Sequence, residues 1–181
     1  MQRSIELNVN MIHSDKIFGN IHSDQDLIPD HNEMEQRGKV EYIIVSRLES
    51  QRLRMRKVTD SGTEIALSLP AGSCLDDGDV VFMTREKMVV VKREPEMVAS
   101  VFINPSPFDD NLLATGVKIG HTIGNLHRPV RIQGNKISFP IQSLAEIELF
   151  EKLFSNLQDQ LEIRSDEVIF QEEPAYSIHE H

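Results

Sequence analysis

From Val40 to Lys92 the apolar residues come in short runs cut by turn residues. Tyr42 to Val45 is an unbroken apolar run, Arg52 to Val58 alternates, and Glu64 to Leu69 resumes after Asp60-Ser61-Gly62. Asp77-Gly78-Asp79 turns into Val80 to Phe82, and Met88 to Val91 closes the series. Short runs at turn-marked intervals, with no helical period among them, predict a compact antiparallel β sandwich or barrel. Lys16 to Ile21 alternates enough to open that sheet. Residues 1 to about 38 are otherwise polar and mixed, so any order there must be local, and only the first ten or so look dispensable. Ile-His-Ser-Asp occurs at 12–15 and again at 21–24, and His31 continues the nine-residue spacing, but two short copies do not make a repeat architecture.

The texture changes at Arg93-Glu94-Pro95-Glu96, where a second domain is expected to begin. Met97 to Ile103 reads as a strand and Asp109 to Ile123 has helical spacing. Val130 to Gln133 and Lys136 to Phe139 alternate about Gly134-Asn135, a two-residue hairpin signal. Ser143 and Glu146 form a Ser-x-x-Glu capping pattern ahead of a helix to about Leu157, with Ile147, Phe150, Phe154 and Leu157 as its apolar stripe. Glu162 to Phe170 can supply a last strand. The order β-α-β-β-α-β is that of a ferredoxin-like split fold. The expected class is therefore α+β: a flexible N-terminus over 1–10, an antiparallel β domain over 11–93, a ferredoxin-like domain over 94–170, and a flexible histidine-bearing tail over 171–181.

Charge narrows the function classes. The 181 residues carry 29 Asp+Glu against 19 Lys+Arg, a formal net charge of −10 with seven histidines counted as neutral. A sequence-independent grip on nucleic acid or on an anionic membrane needs a surplus of cations, so neither partner is expected. The single cysteine, Cys74, excludes an internal disulfide framework and a cysteine-based zinc knuckle. Without a signal-peptide core or an apolar run of roughly 20 residues, the chain reads as soluble and cytoplasmic. No nucleotide-cradling loop, nucleophile elbow or zinc-protease helix is present, so no enzyme is expected. Cys74 has no basic neighbour to activate it and reads as a small buried residue. The adjacent pairs Asp76-Asp77, Asp109-Asp110 and Glu172-Glu173 diverge and read as turn formers and solvated tail. An acyl-phosphate phosphatase on this scaffold would need Arg and Asn near the first strand, and Phe102 to Asp110 offers Asn104 alone.

The histidines and glycines of the second half carry the candidate chemistry. Gly116, Gly120 and Gly124 recur every four residues and share a helix face. Each costs the helix about 1 kcal/mol, which predicts a close backbone approach, either to the chain's own sheet or to the same helix of a second copy. Gly124-Asn125 is expected to supply the left-handed turn that ends the helix, leaving His127 exposed before Pro129. His121, about 240° away around a helix, should not share an ion with His127 and reads as a packed or surface histidine. His179 and His181 lie two apart, so in an extended tail they point to one side and can converge on one ion. In the first half, Arg52, Arg54 and Arg56 share a strand face opposite Leu53 and Met55, either as a solvated face or as a docking strip for an acidic partner segment.

Arg54 to Leu69, Leu75 with Gly78-Asp79-Val80, Ile123-Gly124-Asn125-Leu126-His127 and the histidines at the C-terminus occur in that order along the chain. In these elements the chain resembles the urease accessory protein E family, nickel metallochaperones of urease maturation. The resemblance implies an N-terminal β domain for protein contacts and a ferredoxin-like domain that forms a homodimer. It further implies that His127 of each subunit meets its copy at the interface to hold Ni2+, with His179 and His181 completing the site. Zn2+ or Cu2+ could occupy such a site in vitro, because affinity alone does not select nickel. The implied partners are the other urease accessory proteins, including the GTPase of the maturation complex, and apo-urease.

Two departures bear on the site. Leu126 stands where the family pattern has Arg, and residues 128–178 hold no histidine, so capacity should be close to one interfacial ion. Imidazole must be neutral to bind, so affinity should fall as pH drops through roughly 6.5. Residues 159–181 hold seven acids against Arg164, a local field that would attract a divalent cation. No essential role is expected for His13, His22 or His31. The alternative reading is a metal-independent adaptor that binds a partner polypeptide through the β domain.

Overall fold

The computed structural model describes residues 11–104 and 112–172, and the chain divides into two units between Glu94 and Pro95. The strands of the first unit are β1 (Ile12–Ser14), β2 (Gly19–Asn20), β3 (Val40–Val45), β4 (Arg54–Val58), β5 (Glu64–Ser68), β6 (Asp79–Met83) and β7 (Met88–Arg93). They form two sheets, ordered β1-β5-β4 and β2-β6-β7-β3. Ile65 and Leu67 of the first sheet bury against Ile43, Val45, Val81, Val89 and Val91 of the second, as strand alternation requires. The opposite face of the second sheet gives Val80, Met88 and Val90 to a smaller core with Leu27 and Met34.

Leu27 and Met34 belong to α1 (Leu27–Gln36), a helix in the stretch read as polar and mixed. Only Leu27, His31 and Met34 are buried there, a stripe too narrow to stand out in the composition. A second unexpected helix, the single turn α2 (Arg47–Ser50), is nucleated by a reciprocal cap: Glu49 N donates to Ser46 Oγ at 3.3 Å, and Ser46 N donates to Glu49 Oε2 at 3.1 Å. The expectation of a purely antiparallel β domain is also corrected, since β1 pairs with β5 and β3 with β7 in parallel. The members of each pair lie far apart in the chain, and crossovers of that length permit parallel pairing where a hairpin does not. Cys74 is exposed rather than buried.

A buried charge ties the two sheets together. Glu41 on β3 accepts from Thr59 Oγ1 at 2.6 Å and pairs with Lys87 Nζ at 2.5 Å, and Lys87 also donates to Thr63 Oγ1 at 2.7 Å. Burial pushes the Glu41 carboxyl up, but the hydrogen bonds from Lys87, Thr59 and Thr63 together outweigh it and hold the group below the usual carboxylate range.

The second unit runs β8 (Glu96–Ile103), α3 (Leu112–Asn125), β9 (Arg131–Gln133), β10 (Lys136–Pro140), α4 (Ala145–Leu153), a 3-10 segment (Ser155–Gln160) and β11 (Leu161–Val168). The sheet order is β11-β8-β10-β9 with antiparallel neighbours throughout. Ala99, Val101, Ile103, Ile137 and Phe139 line one face, where Ile119 and Ile123 of α3 and Phe150 of α4 pack on them. The Phe139 and Phe150 rings sit 4.6 Å apart and Phe154 continues the contact at 6.1 Å, so Phe150 and Phe154 of the expected stripe are buried, while Ile147 and Leu157 are half-buried and the helix stops at Leu153, short of the expected Leu157. Its expected cap is not formed. Glu146 Oε1 accepts from Gln142 N at 2.6 Å and Oε2 from Arg128 Nη2 at 2.6 Å, so the carboxylate is taken from Ser143 by a distant arginine.

Because the Glu41 pKa is lower in the folded than in the unfolded chain, its charge stabilises the fold above the ordinary carboxylate value of about 4.3 and stops doing so as pH falls through the lowered value. Glu41→Gln is therefore expected to cost about 1–2 kcal/mol near neutral pH and clearly less in acid. Urea denaturation at both pH values checks this, and an equal loss at both would assign the effect to packing.

Candidate metal centre

Helix α3 buries Thr115, Ile119 and Ile123, residues four apart that make one stripe against the sheet. The rest of the helix is turned outward. Leu113 is 83% exposed and Val117 61% exposed, on the side that also carries Gly120 and Gly124. A Cβ built on Gly116, Gly120 or Gly124 would meet nothing within 4 Å among the described residues. Of the two close approaches expected for these glycines, the one to the chain's own sheet is therefore absent.

The helix ends on the candidate ligand. His127 N donates to Gly124 O at 2.9 Å and Arg128 N to Ile123 O at 3.5 Å, the paired bonds of a Schellman motif. The residue that motif places in the left-handed region is His127, at φ 52°, and not Gly124 or Asn125, which are helical. Among the described residues His127 is the one non-glycine with positive φ. A position that usually falls to glycine is thus held by an exposed imidazole at roughly 1–2 kcal/mol of backbone cost. The next residue is anchored, with Arg128 Nη2 donating to Glu146 Oε2 at 2.6 Å and Nη1 to Pro140 O at 3.3 Å. Arg128 as a positioning residue has no local signal, since its partner lies 18 residues along the chain. Leu126 is exposed beside the histidine.

The other histidines separate cleanly. His121 is exposed and receives a hydrogen bond from Asn125 Nδ2 at 3.1 Å. His13 is exposed on β1, His22 Nε2 lies 3.0 Å from Asp77 Oδ2, and His31 is buried with Nε2 3.3 Å from Tyr42 Oη. His179 and His181 lie outside the described residues. Among the described residues no three His, Cys, Asp or Glu side chains come together as a metal-binding group. Among the described residues His127 thus stands as a lone imidazole at the margin of an open helix face.

These features define a two-unit α+β protein with an isolated surface imidazole beside an apolar, glycine-bearing helix face. A family model described as the UreE urease accessory protein, N-terminal domain, matches residues 15–93. The chain is 31% identical over 133 residues to a urease accessory protein UreE of Natronomonas pharaonis, covering 74% of this chain and 61% of that protein. It is 28% identical over 149 residues to urease accessory protein UreE 1 of Pseudomonas syringae pv. tomato, covering 82% and 96%. With the UreE of Yersinia aldovae it shares 27% identity over 135 residues, 72% of this chain and 57% of the relative. The chain is thus similar to the UreE family of urease accessory proteins, by the family model over its first unit and by the relatives over most of its length.

The left-handed backbone makes the helix end testable apart from metal. His127→Gly is expected to raise stability by up to about 1 kcal/mol, whereas His127→Ala, which keeps the Cβ penalty, should change it little. Thermal melts of the two variants decide, and equal melting temperatures would contradict a left-handed residue 127.

Proposed function

We propose that this chain is a homodimeric, non-catalytic nickel carrier of urease maturation, in which Ni2+ is held where the His127 imidazoles of two subunits meet. The observation that carries the reading is His127 projecting at the end of an exposed face built from Leu113, Val117, Gly120 and Gly124. Such a face has apolar area to bury and no side chains at its glycines, so a symmetric copy could approach closely. The two-fold axis of that approach would bring two equivalent imidazoles together. The β11-β8-β10-β9 order with all-antiparallel neighbours supports a ferredoxin-like domain as the scaffold.

Nickel is cargo here, and the chemistry of the donors suits transfer. One imidazole holds a divalent ion weakly, two held by symmetry hold it better, and His179 and His181 would complete a set that can release. Acid weakens the site because a ligating imidazole must be deprotonated. The names of the relatives support a place among the urease accessory proteins. In this reading the receiving partners are the GTPase of the maturation complex and apo-urease, met in the cytoplasm. Among the described residues no helix is long and apolar enough to cross a membrane.

Equilibrium dialysis with Ni2+ tests the site. His127→Ala should lower affinity by at least roughly tenfold, and Val117→Asp should convert the dimer to a monomer in sedimentation while weakening Ni2+ binding to a similar degree. Unchanged tight binding in His127→Ala would overturn the site. A wild-type protein with no affinity tighter than about millimolar would overturn the carrier and favour the adaptor.

A further inference from the structure

The outer face of the first unit's three-stranded sheet carries a feature that the nickel reading does not use. Strand β4 is an edge strand. Leu69 N donates to Leu53 O at 2.7 Å and Thr59 N to Thr63 O at 2.9 Å, which sets the alternation of the β4–β5 ladder. By that alternation Leu53, Met55, Lys57 and Thr59 turn their backbone groups to β5. Arg54, Arg56, Val58 and Asp60 turn theirs to the open side. Asp60 N is taken up by Tyr42 O at 2.9 Å. The outward N–H and C=O groups of Arg54, Arg56 and Val58 have no backbone partner among the described residues.

The same three residues carry the exposed side chains of the strand. Arg54 and Arg56 are exposed, as is Arg52 just before them, and none makes an ion pair among the described residues. Lys57, on the opposite face, is by contrast paired with Glu49 at 2.7 Å. Beyond Arg56, Val58 is 58% exposed and lines a cavity of about 270 Å3 with Met11, Arg56 and Glu64. A backbone edge without partner among the described residues, two guanidinium groups two residues apart and a recess whose apolar lining is Met11, Val58 and Ile65, rimmed by Arg56, Lys57 and Glu64, therefore lie together within a chain whose net charge is −10.

We infer that this edge is a docking strip for an acidic polypeptide segment that adds to β4 as an extended strand. Its carboxylates at alternate positions meet Arg54 and Arg56, and an apolar side chain two residues on enters the recess beside Val58. Residues directly opposite on neighbouring strands share a face, so the spacing of the arginines dictates that of the carboxylates. Main-chain hydrogen bonds supply affinity in such an addition and alternate side chains supply selectivity. A second copy of this chain is disfavoured, because pairing of two β4 edges would set arginine against arginine. A polyanionic nucleic acid is disfavoured by the chain's overall charge. The inference is independent of the nickel site.

The test uses the full chain and a fluorescent ten-residue peptide with Glu at alternate positions followed by Leu, with a Lys-for-Glu peptide as control. Anisotropy should show binding of the acidic peptide alone, weakened roughly tenfold or more in Arg54→Glu/Arg56→Glu and by added salt. Hydrogen exchange on the wild type should show the amides of Arg54, Arg56 and Val58 protected when the peptide binds. Ni2+ binding by the double variant should stay at the wild-type level, which separates failure here from failure of the carrier reading. Binding without protection of those amides would overturn strand addition. No binding by the wild type, together with self-association of the double variant, would overturn the docking strip and leave the arginines as guards of an open edge.

Discussion

Helix α3 lies on one face of a sheet and can bury only one stripe of its surface. Thr115, Ile119 and Ile123 take that stripe, and Thr115 Oγ1 also donates to Gln160 Oε1 at 3.1 Å, which holds the helix to the 3-10 segment. Every other feature of the candidate centre follows from this choice. Leu113, Val117, Gly120 and Gly124 are left facing solvent, and the helix runs out at a point where His127 must reverse the chain. The Arg128–Glu146 pair then fastens the segment beyond to the start of α4, so the imidazole stands on a defined backbone rather than a loose loop.

The glycines acquire a different meaning in this setting. In a helix interior they cost stability, and among the described residues no neighbour occupies the space above them to compensate. The strain at His127 points the same way. A glycine would end this helix more cheaply, and a residue that keeps an unfavourable conformation at a surface is more readily explained by what its side chain does than by what it stabilises.

The first unit shows how a net-negative chain can carry two opposite electrostatic designs. Glu41 is enclosed by Lys87, Thr59 and Thr63 and acts as an internal clasp between sheets. Arg54 and Arg56 lie on the outer face and make no ion pair among the described residues. Both follow from the two-residue period of strands, which sends one set of side chains to the core and the next to solvent.

That period is also why much of the fold was legible in the chain. The strands from Val40 to Val91, the Gly134-Asn135 hairpin, the buried Phe150 of α4 and the shared strand face of Arg54 and Arg56 are written in neighbouring residues, and local geometry is enough to read them. Chain-distant contacts decided the rest. The parallel pairings of β1 with β5 and β3 with β7 depend on which strands meet in the core, and α1 is held by three buried residues against a sheet that forms elsewhere. Ser46 obtained its capping glutamate while Ser143 lost Glu146 to Arg128, a competition invisible to a four-residue pattern. At the candidate centre, sequence alone singled out His127 and its helix. Only the tertiary structure showed that His127 itself is the left-handed residue and that the glycine face looks away from its own sheet, because both depend on where α3 is pinned against the strands.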